Sequence, residues 1–395
     1  MRRAFVIPAV LLIFVFAVKA QEASKVLETF RRNFAIASLD VKIQILQDAS
    51  NNAAASEFGP LYQQAVDFAL NNTSLIPTDP RFRQLASLAA EQLERADYQP
   101  AKYSLWKMFL TDNDTTLRVR IASSLGRIGA GDAEIIKGIN QYLDAQNSIQ
   151  AAGKAPDAQV VGAVVNALGK LGDPSSFPIV FTAMTLQYSE RISAAAKEAL
   201  LATKGNLKDM IVGVIKTGSV AEKKIAINMA LTTDPLSEDQ KAQTAEYALD
   251  VALHTSVPDN PGKIVLREIR FIATRALDER KWASATALLI EGIDMTIVEY
   301  DRGLADKSFL IEAIAALGAT GTHEAAVRLT QYLVLLNSYT EKGKGYDEQI
   351  VLALLDNLGA LADKVAFDDL MYTQYLNYTA AIKKSARAAL EKLKW

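Results

Sequence analysis

The feature that most restricts what this chain can become is a short segment that recurs. Residues 118–129 read Arg-Val-Arg-Ile-Ala-Ser-Ser-Leu-Gly-Arg-Ile-Gly, and residues 161–172, 310–321 and 351–362 follow the same pattern. Each is an apolar stretch closing on Leu-Gly-x-x-Gly or a near variant. The marker leucines are Leu125, Leu168, Leu317 and Leu358; Leu46, Leu93, Leu200, Leu231, Leu277 and Leu390 hold the same place in copies without the glycine. Neighbouring markers lie 31 to 47 residues apart. A unit of roughly 30 residues with insertions is two helices and two turns, and such a pair cannot bury its own apolar face. About ten pairs must therefore stack.

Within each copy, apolar residues recur at spacings of three and four, which gives every helix one buried stripe. Calling the first helix of a pair A and the second B, the B helices are expected near 40–50, 79–95, 115–127, 157–171, 189–203, 219–232, 262–279, 305–318, 346–361 and 379–393. The A helices fill most of the intervening chain from about residue 22. The glycine after each marker leucine is expected to take the left-handed conformation that ends a helix. A polar residue or proline, as in Asp173-Pro174, then starts the next one. Helices alternating with short turns pack antiparallel. The expected fold is all-α, a right-handed α-solenoid of about ten antiparallel helix pairs. Four A–B connections look longer than a turn needs, at 71–80, 147–157, 256–262 and 338–345, and should project from one edge.

Residues 1–20 differ from all that follows. Arg2 and Arg3 precede an uncharged apolar run from Ala4 to Val18, and Val18-Lys19-Ala20 supplies small residues for a peptidase. This reads as a signal peptide, too short in its apolar part for a bilayer that needs about 20 residues. Irregular repeats then occupy 21–111 and regular ones 112–395, in one continuous solenoid. Removing the signal takes three cations and no acid from a chain of formal charge −2, leaving −5. That balance disfavours nucleic-acid partners, which demand phosphate neutralisation. The sequence has no cysteine, so disulfides, thiol catalysis and cysteine metal sites are excluded. Export without disulfides points to a bacterial periplasm, with the cell surface or medium as alternatives, and no stable membrane span remains after signal removal.

The repeat resembles the HEAT-repeat family, in particular the short bacterial kind also found in phycobilisome lyases. The family's pattern falls on Asp114, Arg118, Ala122, Leu125, Gly126, Gly129 and, one residue late, Asp132. A second copy carries Leu168, Gly169, Gly172 and Asp173, and further glycines stand at Gly318, Gly321 and Gly359. The resemblance is clear over 112–395 and fainter over 22–111. It implies that B helices line a concave surface, that Arg118 packs with an aspartate in a polar ladder between repeats, and that the array binds protein.

Chemistry-bearing residues are sparse. His254 and His323 are the only imidazoles and belong to different repeats. His323-Glu324 resembles the His-Glu pairs of the di-iron HEAT hydroxylases, but that family needs several pairs and this chain has one. No phosphate-binding loop or nucleophile elbow is present. The expectation is a non-enzyme with no cofactor and no metal, a scaffold for a protein partner in the cell envelope. Contact candidates are Tyr188, Tyr346 and Tyr378 at the starts of B helices, with Arg120, Arg191, Lys223 and Lys224 towards the concave face. The alternatives are a small-molecule carrier or enzyme with a pocket where the array bends, near 232–263, and a surface protein that binds host macromolecules.

Overall fold

The computed structural model describes residues 24–186 and 188–393, so the signal peptide expected over 1–20 lies outside the described residues. Among those residues there are twenty α-helices, short 3-10 turns and no β-strand. They divide into two compact units that meet in sequence at Gly205 and Asn206. The first unit holds α1 (24–36) with α2 (Leu39–Ser50), α3 (Gly59–Asn71) with α4 (Pro80–Arg95), α5 (Lys102–Thr111) with α6 (Thr115–Ile128), α7 (Ala133–Ala151) with α8 (Ala158–Leu171), and α9 (Phe177–Thr185) with α10 (Glu190–Ala202). The second holds α11 (Leu207–Thr217) with α12 (Val220–Thr232), α13 (Glu238–His254) with α14 (Asn260–Glu279), α15 (Thr286–Asp301) with α16 (Lys307–Thr320), α17 (His323–Glu341) with α18 (Glu348–Leu361), and α19 (Phe367–Thr373) with α20 (Ala380–Glu391).

The even-numbered helices are the ten expected B helices, each end within two residues of its predicted place. In each unit the B helices pack against one another more closely than the A helices do, so the B helices form that unit's inner layer. Eight marker leucines (46, 93, 125, 168, 200, 277, 317 and 358) are at most 1% exposed. Each such burial stabilises by about 1.5–3 kcal/mol. The stack is held by this repeated layer.

Two expectations are corrected. The glycine after the marker leucine does not end the helix: Gly126, Gly169, Gly318 and Gly359 all lie inside α6, α8, α16 and α18. They are there because the next B helix comes too close for a side chain. A Cβ on Gly126 would stand 2.9 Å from Ala167 Cα, one on Gly169 2.8 Å from Ala199 Cβ, and one on Gly359 3.0 Å from Ala389 Cα. The left-handed residue comes three positions later, at Gly172 (φ 62°), Gly321 (φ 69°) and Ala362 (φ 55°). Gly129 keeps a right-handed φ of −84°, and Gly131 (φ 76°) makes the reversal there. The second correction shortens two connections, because Asn147 and Ser338 sit within α7 and α17.

Asn147 has a structural reason to be helical. It is 3% exposed and donates from Nδ2 to the Ile179 carbonyl at 3.0 Å, holding α7 to α9. Asn337, 1% exposed, makes the same bond to the Asp369 carbonyl at 3.3 Å. The two asparagines are 190 residues apart, and so are many other identities. Gln141-Tyr142-Leu143 recurs as Gln331-Tyr332-Leu333, Gly153-Lys154 as Gly343-Lys344, Leu168-Gly169 as Leu358-Gly359, and Tyr188 as Tyr378. Asp157, Asp173, Phe177, Ile192 and Leu200 recur as Asp347, Asp363, Phe367, Ile382 and Leu390. Helices α7–α10 and α17–α20 are thus two copies of one module, and each closes its unit.

Candidate binding groove

The first unit's inner face carries an open groove along α8. Asp157 caps that helix by accepting from the Gln159 and Val160 amides at 3.0 and 3.2 Å. Its Val160, Val161, Val164, Val165, Leu168 and Leu171 face the core. The opposite face offers Ala158, Gly162, Ala163, Asn166 and Lys170 as a floor of mostly small side chains. Val119 and Ser123 of α6 form one wall; Arg191, Ala195, Glu198 and Ala202 of α10 form the other. Two adjoining cavities of about 540 and 460 Å³ share Val119, Ala163, Asn166 and Ala195, so the space is continuous. From Ala158 to Lys170 the floor spans roughly 18 Å at the helical rise of about 1.5 Å per residue.

The charges on the α10 wall are unpaired. Neither Arg191 nor Glu198 has a hydrogen-bond or ion-pair partner among the described residues, and they lie two turns apart on one helix face. Across the groove, Lys170 Nζ stands 3.6 Å from Glu94 Oε1 and 3.4 Å from Ser123 Oγ. Arg120, on α6 but not among the groove's lining residues, is 3.8 Å from Glu91.

The second copy of the module carries different side chains on the same face. Where the first unit has Gly162, Ala167 and Ala202, the second has Leu352, Asn357 and Lys392, and Arg191 and Glu198 become Ala381 and Ala388. Ser385, in place of Ala195, donates to Asp356 Oδ1 at 2.8 Å, and the Asn357 side chain fills the space beside Gly318.

The remaining sequence candidates serve the stack. Lys223 is 6% exposed and donates to the Ile215 and Lys216 carbonyls at 2.7 and 3.0 Å, closing the end of α11. Burial holds its ammonium pKa below the usual lysine value. It is not available to a partner. Lys224 forms an exposed pair with Glu268 at 2.7 Å. Tyr188 donates to Asn147 Oδ1 at 3.0 Å, and burial raises its phenol to about 12. Tyr378 is buried and meets Tyr346 edge-on, ring centres 4.7 Å apart. These tyrosines pack the A–B turns.

The polar ladder takes a form different from the Asp114–Arg118 pair. Asp114 caps α6 through the Leu117 amide at 2.9 Å. Arg118 reaches back to the Phe109 and Asp112 carbonyls at 3.0 and 2.7 Å and to Asn113 Oδ1 at 2.6 Å. The aspartate that crosses between repeats is Asp112, which takes Arg83 Nε at 2.8 Å. Burial pushes the Asp112 carboxyl pKa up, but Arg83 and the Asp114 amide outweigh it and hold it low. Lys42 repeats the backward reach, donating to the Phe34 and Ala37 carbonyls. Sequence reading missed this device; its signal is a cation four residues after an N-cap, at Ser38–Lys42, Asp114–Arg118 and Ser219–Lys223. Asp173 caps the turn after α8 through the Ser175 amide at 2.9 Å.

A further hollow of about 690 Å³ beside α1 and α3 is lined by polar groups that are already engaged. Lys42 holds carbonyls, Arg31 donates to Gln64 at 3.3 Å, and Asp67 accepts from Ser104 at 2.6 Å. His323 Nδ1 meets Asp363 at 2.7 Å and ties α17 to the turn before α19, while His254 lies 3.3 Å from Glu291. Among the described residues no group of three or more histidine, aspartate or glutamate side chains is placed to hold a metal ion, and no helix is long and apolar enough to cross a membrane.

No protein-family profile and no curated protein matches the chain. Among solved structures, human deoxyhypusine hydroxylase in complex with glycerol aligns at 18% identity over 84% of this chain and 96% of its own, with a TM-score of 0.27. A circular tandem repeat protein with novel repeat topology aligns at 13% identity over 93% of this chain and 75% of its own, with a TM-score of 0.17. The expectation that the chain is not an enzyme is corrected by the first of these, since that match is itself an enzyme. The lack of a catalytic motif is no ground for that reading, and it is withdrawn. Similarity this low assigns no activity. The all-helical repeat is what the structure shows.

Proposed function

We propose that this chain is a HEAT-type protein-binding array that works outside the cytoplasm, in a bacterial envelope, and that it grips its partner in the groove along α8. One observation carries the reading. The groove's floor is built of small residues in the first unit, where the second has Leu352 and Asn357, although both copies build the same module. The small residues of the floor differ from those at the equivalent places of the second copy, and a bound partner accounts for that difference. The groove's half-buried Gly162, Ala163 and Ala195, with unpaired charges on one wall, have the make-up of a contact surface: an apolar centre and a polar rim. The reading of residues 1–20 as an export signal and the cysteine-free composition support the envelope address.

The test uses Gly162→Leu, which installs the second unit's residue in the first. A Cβ at Gly162 meets only Ile192, at an ordinary 3.6 Å, so the variant should fold. Crosslinked envelopes should yield a partner with the wild-type chain and lose it with the variant, while both melt alike by circular dichroism. Equal recovery with both chains, or nothing above background with either, would overturn the reading.

A further inference from the structure

We infer that the occupant of the groove is an amphipathic helix of the partner protein, lying antiparallel to α8, with a carboxylate that meets Arg191 and a cation that meets Glu198. The inference rests on the protein-binding reading above and adds the form, direction and charge pattern of the ligand.

The shape comes first. Helix α8 packs between α6 and α10, whose side chains border the hollow on either side of its floor. A partner helix, about 10–12 Å across with its side chains, rests on α8 and touches the side chains of both neighbours. A floor of Ala158, Gly162 and Ala163 lets the helix backbone come close, as small residues do wherever two helices approach tightly. Neighbouring B helices already use this device, with Gly126 against Ala167 and Gly169 against Ala199. A helix laid in the groove continues the packing of the inner layer.

Charge then sets the direction. Arg191 and Glu198 are seven residues apart on α10, about 10.5 Å along the axis and on one face. Seven residues are also two turns of a partner helix, so one cation and one carboxylate at that spacing meet both. Helices α6, α8 and α10 all begin at the Arg191 end, and their macrodipoles point their positive ends there. A partner helix with its C-terminus at that end opposes these dipoles favourably. In that direction its cation comes first and its carboxylate seven residues later.

Stapled helical peptides of about 14 residues with an alanine-leucine face provide the probe. One carries Lys-x6-Glu and the other Glu-x6-Lys, and fluorescence anisotropy reads their binding to the full chain. Lys-x6-Glu should bind at least tenfold more tightly. The exchange Arg191→Glu with Glu198→Lys should invert that preference, and Gly162→Leu should abolish binding of both. Equal affinities, a preference for Glu-x6-Lys, or a preference that the exchange leaves unchanged would overturn the inference. So would palmitate that binds more tightly than either peptide and is lost in Gly162→Leu, since the groove would then hold an acyl chain. If these peptides fail while envelope capture stays sensitive to Gly162→Leu, the helix is wrong and the protein-binding reading stands. If capture is insensitive as well, both fall.

Discussion

The glycines of this repeat have two different jobs, and substitution separates them. Gly169 lies inside α8 with Ala199 against it, so an added Cβ at 2.8 Å forces α8 and α10 apart. Gly213 lies inside α11 with no atom within 4 Å of an added Cβ. Alanine improves helix propensity at both by up to about 1 kcal/mol. Urea denaturation should therefore show Gly213→Ala more stable by about 0.5–1 kcal/mol and Gly169→Ala less stable by about 1–3 kcal/mol. Lys223 allows a similar separation. Lys223→Met keeps the apolar stem but leaves two helix-end carbonyls without their donor, and should cost about 1–2 kcal/mol. Lys224→Met removes only an exposed pair, and its melting curve should stay within about 0.5 kcal/mol of wild type.

Helices here are fixed at their ends more than by their composition. Alanine-rich segments of 10 to 20 residues are marginal helices alone, and packing and caps decide where they stop. Asp132 is a clear case: it accepts from the Glu134 and Ile135 amides at 3.1 Å and also binds Lys102 at 2.7 Å. Lys102 first, then the Ile135 amide and Tyr103, hold its carboxyl well below the usual carboxylate range. A depressed folded-state pKa stabilises above the unfolded value of 3.8, and that contribution is lost as pH falls through the folded value. Asp132→Ala should cost about 1–2 kcal/mol at pH 7. The gap to wild type should stay level down to about pH 5 and narrow below 3.8, read from urea melts across that range. Caps of this kind were legible in sequence as Asp, Ser or Thr before an apolar run, which is why the B helices were placed closely. The A helices were less so. Asn147 looks like a loop residue and is helical because a buried carbonyl of α9 takes its amide.

At the scale of the molecule, two features stayed hidden for physical reasons. The groove depends on what is missing from a helix face, and Ala158, Gly162, Ala163 and Ala195 read in sequence as ordinary helix formers. The duplication was masked by the repeat itself, because a pattern returning every pair conceals one returning every five. Buried residues under similar constraint look alike in all copies, whereas Asn147 with Asn337 and Tyr188 with Tyr378 mark the longer period through particular polar contacts. The duplication also bears on stability. In a stacked array stability is close to a sum of pair and nearest-neighbour terms, so five pairs with an intact core exceed the roughly three needed to hold together. The second unit has that core, with Leu277, Leu317 and Leu358 at most 1% exposed and the Arg270–Glu299 pair at 2.6 Å tying α14 to α15. Residues 206–395 made alone should therefore be helical by circular dichroism and unfold in urea in a single cooperative transition. A chain lacking far-ultraviolet helical signal, or losing it gradually without a midpoint, would show that the second unit draws its stability from the first.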